Sequence, residues 1–274
     1  MNQQEIHVET TTLAAIRRDI FAFYRRHKRS LPFRETDDPY AITVSEIMLQ
    51  QTQVERVVPK YLNWLREFRD WPALAHASNR DILAAWSGLG YNRRAMYLKA
   101  MAQDVCGRFG GWLPEEPDQL REFPGIGPYA ANAIAAFAFG RRVAAVDTNI
   151  RKVIIHKLKL APDTPLKEIQ PIATALLPRT RVRQWHYALM DYARLGLPAE
   201  ASRRIAPLSR QSKFHGSQRQ IRGEIIRRLT SARQVAIADI ADAMKRSHDD
   251  VRLAAESLMR DGLVTVTARL IKLV

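Results

Sequence analysis

A single cysteine, Cys106, occurs among the 274 residues. One thiol can form no intrachain disulfide and can supply no cysteine-based zinc or iron–sulfur site, which suits a reducing cytosol. Long hydrophobic runs are also missing. The longest uncharged stretch, Phe123 to Gly140, is interrupted by Pro124, Gly125, Gly127, Pro128 and Asn132, and the opening MNQQEIHVET lacks the basic-then-apolar profile of a secretory signal. The expectation is an unsecreted chain with no membrane partner. Acidic residues are outnumbered: Lys+Arg total 43 and Asp+Glu 28, a formal net charge of +15. That imbalance suits a polyanionic partner, nucleic acid first, and says little about fold. A genome's codon bias produces the same imbalance, so patterning has to decide.

Alternating, period-two segments are scarce before the C-terminus. Apolar residues instead recur at helical spacing, as in Leu13, Ile16, Ile20, Phe23 and Tyr24, and again in Val54, Val57, Val58, Tyr61, Leu62, Leu65 and Phe68. Ser78 with Asn79, and Pro117 with Asp118, read as helix starts; Gly88, Gly90, Gly110 and Gly111 read as stops. The main body, residues 1–198, is therefore expected to be all-α. Composition shifts near residue 198. From Ala201 to Arg233 nine basic residues (Arg203, Arg204, Arg210, Lys213, Arg219, Arg222, Arg227, Arg228 and Arg233) face one acid, Glu224. Residues 199–216 read as a basic linker. Residues 217–274 read as helix, helix, helix and a terminal hairpin in LVTVTARLIKLV, the winged-helix order. A small α+β cap packed on the main domain is the alternative.

Three phrases carry chemistry. In FPGIGPYAANAI, Gly125 and Gly127 supply conformations closed to other residues, Pro124 and Pro128 fix the turn, and the next helix offers its N-terminal amides. A plain helical hairpin could use the same glycines, but PGIG between two helical segments is the helix-hairpin-helix pattern that grips a DNA backbone. In VDTNIRKVI, Asp147 is the only charged residue between Val143 and Ile150. Its carboxylate is either desolvated for a purpose or simply the N-cap of the helix beginning around Asn149, and both can hold. In AITVSEIMLQQTQV, Glu46 is the only charge in fourteen residues where the chain's 26% charged fraction would place three or four. A carboxyl in such surroundings tends to keep its proton toward neutral pH, as a general acid must, although a buried glutamate bonded to backbone has the same signature.

These phrases, with LPFR, DPY, WSGLGYNRRA and ALMDYARLG in the same order, resemble the helix-hairpin-helix DNA glycosylases that use a catalytic aspartate; SEIMLQQTQV and GLGY resemble the MutY-type adenine glycosylases most. The resemblance covers about residues 10 to 198. It implies two helical subdomains with the active site in their cleft, and a target nucleotide rotated out of the duplex. It implies roles for particular residues. Glu46 is the general acid that protonates the purine N7, and Asp147 stabilises the positive charge that develops on the deoxyribose. Asn149 positions sugar or water, and Tyr129 stands where bifunctional relatives carry a nucleophilic lysine, so a monofunctional enzyme is expected. Gln50, Gln51, Thr52 and Tyr91 enter the helix or meet the base opposite the target. Arg34 and Asp191 lie near the base pocket, and Gly125, Gly127 and Arg93 meet the DNA.

Two departures follow. Related enzymes hold a four-iron cluster through cysteines just after the segment matching ALMDYARLGL; AEASRRIAPLSRQSKF has none. No cofactor is expected beyond, at most, a structural monovalent cation at the hairpin, and Arg203, Arg204, Arg210 and Lys213 are expected to supply the loop's charge to phosphates. The β-rich domain that reads 8-oxoguanine in MutY-type enzymes is replaced by the terminal module, whose Arg219, Arg222, Arg227 and Arg228 either grip flanking duplex or leave the module as a brace. The expectation is a monomeric, cytoplasmic, nucleoid-associated enzyme that releases adenine mispaired with guanine or 8-oxoguanine in double-stranded DNA. Alternatives are a mismatch thymine or uracil glycosylase and a noncatalytic winged-helix DNA-binding protein.

Overall fold

A computed structural model describes residues 8–208 and 216–274. Its helices, in chain order, are α1 (Thr10–His27), α2 (Pro39–Leu49), α3 (Val54–Glu67), α4 (Trp71–His76), α5 (Asn79–Trp86), α6 (Arg93–Arg108), α7 (Pro117–Leu120), α8 (Pro128–Ala138), α9 (Thr148–Leu158), α10 (Leu166–Ala175), α11 (Val182–Asp191) and α12 (Ala199–Arg204). The terminal module follows as α13 (Gln218–Ser231), β1 (Gln234–Ala236), α14 (Ile237–Met244), α15 (His248–Arg260), β2 (Val264–Val266) and β3 (Leu270–Leu273). The protein is mostly helical with one small C-terminal sheet, as its patterning predicts.

The chain divides into two compact units. One comprises Met1–Thr43, Pro114–Glu122 and Ile126–Arg210. Its centre is α8, whose sequence PYAANAIAAFA is apolar on every side, so Ala130, Ala131, Ala133, Ile134, Ala135, Ala136 and Phe137 are all buried. Around it α1 contributes Leu13, Ile16 and Ile20, α9 contributes Ile150, Val153 and Ile154, and α11 contributes Trp185, Ala188 and Leu189.

The other unit comprises Val44–Leu113, Phe123–Gly125 and Gln211–Val274. Trp64 of α3 meets Trp86 of α5 edge to face, with ring centroids 5.5 Å apart, and α4 packs along α6. The terminal module belongs to this unit. Its sheet runs β1-β3-β2, antiparallel throughout, with Val235 opposite Ile271 and Thr265 opposite Lys272. Ile221, Ile225 and Leu229 of α13, Ile240 of α14, Val251 and Leu258 of α15 and Ile271 of β3 form its core, and Leu83 of α5 is part of the same cluster. Arg80 Nη1 donates to the carbonyls of Leu229 (2.8 Å), Thr230 (3.2 Å) and Ala232 (3.1 Å). The element order is winged-helix and the module is also packed on α5, so both sequence-based alternatives describe it.

The linker expected over 199–216 needs correction in its first part. Residues 199–204 form α12, Ile205 is buried in the core around α8, and the Ala206 carbonyl accepts from Arg151 Nη1 at 3.0 Å. A buried isoleucine and a buried arginine give this stretch enough internal bonding to fold, despite its basic surface. Residues 209–215, with Arg210 and Lys213, lie outside the described residues.

Candidate active site

Asp147 ends an extended segment whose backbone joins no sheet. Two central polar groups of that segment are satisfied by side chains instead. The Ala144 carbonyl accepts from Asn132 Nδ2 of α8 at 3.0 Å and from Gln170 Nε2 of α10 at 2.9 Å. The Ala145 N–H donates to Nε2 of His186 at 3.1 Å, and the Nδ1 of the same ring lies 2.9 Å from the Val182 carbonyl. Those two bonds require a neutral imidazole protonated at Nδ1, and burial agrees, lowering the His186 pKa to about 4. Because that pKa falls below its unfolded value of 6.5, His186 contributes stability that is complete above pH 6.5 and is lost as pH falls from 6.5 toward 4.

With the segment fixed, Asp147 caps α9. Its Oδ1 accepts from the Ile150 N–H at 2.8 Å, and its Oδ2 accepts from Asn149 Nδ2 at 2.8 Å. Burial pushes the carboxyl above its ordinary value, and the Ile150 and Asn149 donors oppose that push without cancelling it. Both readings of the lone aspartate hold: it is a helix cap and a desolvated acid. Tyr129, in the first turn of α8, is half-buried against the same core. Asp191 is fully buried and its oxygens accept from Arg34 Nη1 (2.9 and 3.0 Å), the Arg29 N–H (3.0 Å) and Arg29 Nε (2.6 Å). Arg34 also lies over the Tyr187 ring at 4.5 Å. The bonding capacity of Asp191 is thus spent inside the protein, where it anchors both arginines.

Glu46 lies in the other unit, on α2, and is only 8% exposed among Val44, Ser45, Ile47 and Met48. The turn that follows holds Gln51 at φ 55°, and the turn before α6 holds Tyr91 at φ 48°. One buried guanidinium joins them. Arg94 Nη1 donates to the carbonyls of Ile47 (2.7 Å), Met48 (3.2 Å) and Gln50 (2.6 Å), and Nη2 donates to the carbonyls of Leu89 (3.2 Å) and Gly90 (3.1 Å) and to Thr52 Oγ1 (3.2 Å). The cation faces the carbonyl end of α2, where the helix dipole favours positive charge. Desolvation still lowers its pKa to about 10. Gln51 and Tyr91 remain exposed on this frame.

The hairpin between α7 and α8 places Gly125 at φ 80°, where a Cβ would lie 2.4 Å from Tyr97 Cδ2. Gly127 has an ordinary φ of −86° and caps α8. Arg93 is half-exposed and paired with Asp261 at 3.4 Å. Arg222 donates to Ser257 and Asp261, and Arg227 and Arg228 both pair with Glu224, so these three are engaged within the module. Arg203 is exposed on α12.

Sequence reading missed Arg94, Arg151, His186, Asn132 and Gln170. A signal was present for three of them. Arg94 falls in phase with buried Leu98, Met101 and Val105, Arg151 with Ile154 and Ile155, and His186 with Val182 and Leu189. A polar residue on an apolar stripe is a buried polar residue, and its partners are worth seeking.

The family described as HhH-GPD superfamily base excision DNA repair protein matches residues 44–178, the span holding Glu46, the Gly125–Gly127 hairpin, Tyr129, Asp147 and Asn149. The adenine DNA glycosylase of Mycolicibacterium smegmatis is 32% identical over 276 residues, taking in 91% of this chain and 92% of that one. The chain belongs to the HhH-GPD superfamily. Among relatives, the thymine/uracil-DNA glycosylase of Pyrobaculum aerophilum is 33% identical over 64% of this chain and 80% of its own. The solved structure of a thermostable thymine-DNA glycosylase superposes with a TM-score of 0.63 at 26% identity, covering 69% of this chain and 90% of that one. This HhH-GPD protein is a MutY-like base-excision DNA N-glycosylase, with DNA as its substrate. The loop after α11 does not fit an iron–sulfur cluster. Its α12 is AEASRR, and the one thiol, Cys106, is on α6 in the other unit. Among the described residues no helix is long and apolar enough to cross a membrane.

Proposed function

We propose that this glycosylase releases adenine mispaired with guanine or 8-oxoguanine, by hydrolysis and without cutting the strand. The observation that carries the reading is Asp147, a carboxylate held in one orientation by Ile150 and Asn149 while burial works against its charge. Such an anion stabilises a cationic sugar more strongly than a hydrated one can, because the surrounding dipoles are already oriented. In the proposed step Glu46 transfers a proton to adenine N7, and the bond between sugar C1′ and N9 breaks with its electron pair leaving on the base. Asp147 stabilises the resulting oxocarbenium-like sugar. Water then adds at C1′ and gives its proton to a carboxylate, leaving free adenine and an abasic site. Tyr129 offers no amine for a Schiff base, which supports simple hydrolysis. The chain works without an iron–sulfur cluster, as a monomer.

Adenine is favoured by the 32% identity to the mycobacterial adenine glycosylase across nearly the whole chain. A second reading, removal of thymine or uracil opposite guanine, is favoured by the Pyrobaculum relative and the thymine-DNA glycosylase structure. A pyrimidine has no N7, so Glu46 would then need another role. The deciding experiment measures base release from duplexes carrying A, T, U or hypoxanthine opposite G, C or 8-oxoguanine, with alkali revealing abasic sites afterwards. Adenine release opposite G or 8-oxoguanine is expected, along with a loss of roughly a hundredfold or more in Asp147→Asn and Glu46→Gln. Release of thymine alone would replace this reading with the second. Binding without release of any base would leave a noncatalytic DNA-binding protein, and a borohydride-trapped adduct would defeat the hydrolytic assignment.

A further inference from the structure

We infer that His186 is a positioning residue for base release, holding the backbone that delivers Asp147 to the head of α9. The inference rests on the proposed role of Asp147 as the carboxylate that stabilises the cationic sugar, and deepens it. The two cap bonds of Asp147 orient its oxygens relative to α9 alone. Where the carboxyl enters the unit depends also on the segment before it. Asp147 itself is extended, at φ −96° and ψ −175°, so a swing of the preceding residues is passed directly to it.

Ala144, Ala145 and Val146 are buried, and their backbone joins no sheet. Such a segment keeps its course only where groups from other elements take its N–H and C=O. The Ala144 carbonyl is held by two donors, Asn132 Nδ2 from α8 and Gln170 Nε2 from α10. The Ala145 N–H, two residues ahead of Asp147, donates to His186 Nε2 of α11 at 3.1 Å. That acceptor is aimed. Because a carbonyl can only accept, the Nδ1–H of the ring donates to the Val182 carbonyl one turn back on α11, at 2.9 Å, which fixes both the tautomer and the rotation of the ring. The Phe137 ring of α8 meets it edge to face, with centroids 5.6 Å apart at 67°. At 2% exposure the imidazole is shielded from solvent, and burial keeps it neutral with a lone pair on Nε2.

A histidine that only filled the core would need no partner outside its own helix. One bond of His186 stays within α11, and the other reaches a different element beside the proposed reacting carboxylate. An apolar residue there would fill the space between α8 and α11 and would strand the Ala145 N–H. The segment could regain a partner only by turning, which would move the start of α9 and the carboxyl with it. A misplacement of about 1 Å can cost about a hundredfold in rate.

The test uses the full chain and measures single-turnover adenine release from a duplex carrying adenine opposite 8-oxoguanine, at saturating enzyme, together with affinity for the same duplex. His186→Leu should slow release by roughly ten- to a hundredfold while affinity stays within about twofold, because the tie acts on the carboxylate and not on DNA binding. His186→Gln puts an amide carbonyl where Nε2 stands, so it can accept from the Ala145 N–H without the Val182 bond. It should recover most of the lost rate, even where it melts no higher than His186→Leu. Hydrogen exchange of the Ala145 amide should quicken in His186→Leu and return toward wild type in His186→Gln. Equal release by wild type and His186→Leu, or rates that merely follow melting temperature across the three proteins, would overturn the inference. A wild-type chain that releases no base from any mismatched duplex would instead overturn the functional reading on which it rests.

Discussion

Asp147 serves two purposes that pull against each other. As the cap of α9 it contributes to folding, and an N-cap carboxylate is worth about 1 kcal/mol. As a half-buried, desolvated charge it opposes folding, since its folded pKa lies above the ordinary 3.8. A carboxyl shifted in that direction favours the folded state fully below the unfolded pKa, and the advantage is lost as pH rises through the folded pKa. Above pH 3.8 the group is therefore a net electrostatic cost to folding. Asparagine can still accept from the Ile150 N–H, so Asp147→Asn keeps the cap and removes the charge. The variant should melt at a higher temperature than wild type at pH 7 to 8, with the gain shrinking as pH approaches 4, while base release is lost. Melting curves across that pH range check it. A variant less stable than wild type at pH 8 would mean that the cap outweighs desolvation, and that the residue is structural first.

Among the elements, the α7–α8 hairpin shows how sequence phrase and packing become one constraint. Gly125 is required twice, by φ 80° and by the 2.4 Å that a Cβ would leave to Tyr97. The two demands are separable. Gly125→Ala should destabilise by roughly 2–4 kcal/mol, the sum of left-handed strain and overpacking. Tyr97→Ala in the same chain should recover the overpacking part alone, giving a favourable coupling on the order of 1 kcal/mol in denaturant titrations. Additive effects would show that the ring moves aside at no cost. This hairpin was legible because its phrase is local: glycine and proline fix a turn within five residues. The stripes Leu13, Ile16, Ile20 and Val57, Tyr61, Phe68 were legible for the same reason, although Leu62 of the expected stripe is exposed and Trp64 is buried instead, and the terminal β2–β3 hairpin was legible from its alternation. Strand β1 was not, since three residues carry no period. The frame around Asp147 was illegible for a different reason. Asn132, Gln170 and His186 come from three helices, and periodicity can mark His186 as buried without saying that its partner is Ala145.

At the scale of the whole molecule, the terminal sixty residues differ from an appended domain in what their core contains. Leu83 of α5 is 1% exposed within the cluster formed by α13, α14, α15 and the sheet, and Met96 of α6 packs against it. Removing the module would return that apolar surface to water at about 25 cal/mol per Å², and would strand the Arg80 guanidinium that now bonds three α13-end carbonyls. An appended winged helix on a flexible linker would melt independently of its host. Here the module and residues 44–113 should unfold in one calorimetric transition. Arg80→Met should lower the midpoint of that shared transition, at a cost of about 1–3 kcal/mol for hydrogen bonds made by a charged donor. A separate module transition, unmoved by Arg80→Met, would contradict the packing. A shared transition is also what the Arg219–Tyr91 hydrogen bond requires, because a module that opened independently could not hold that guanidinium against the tyrosine hydroxyl.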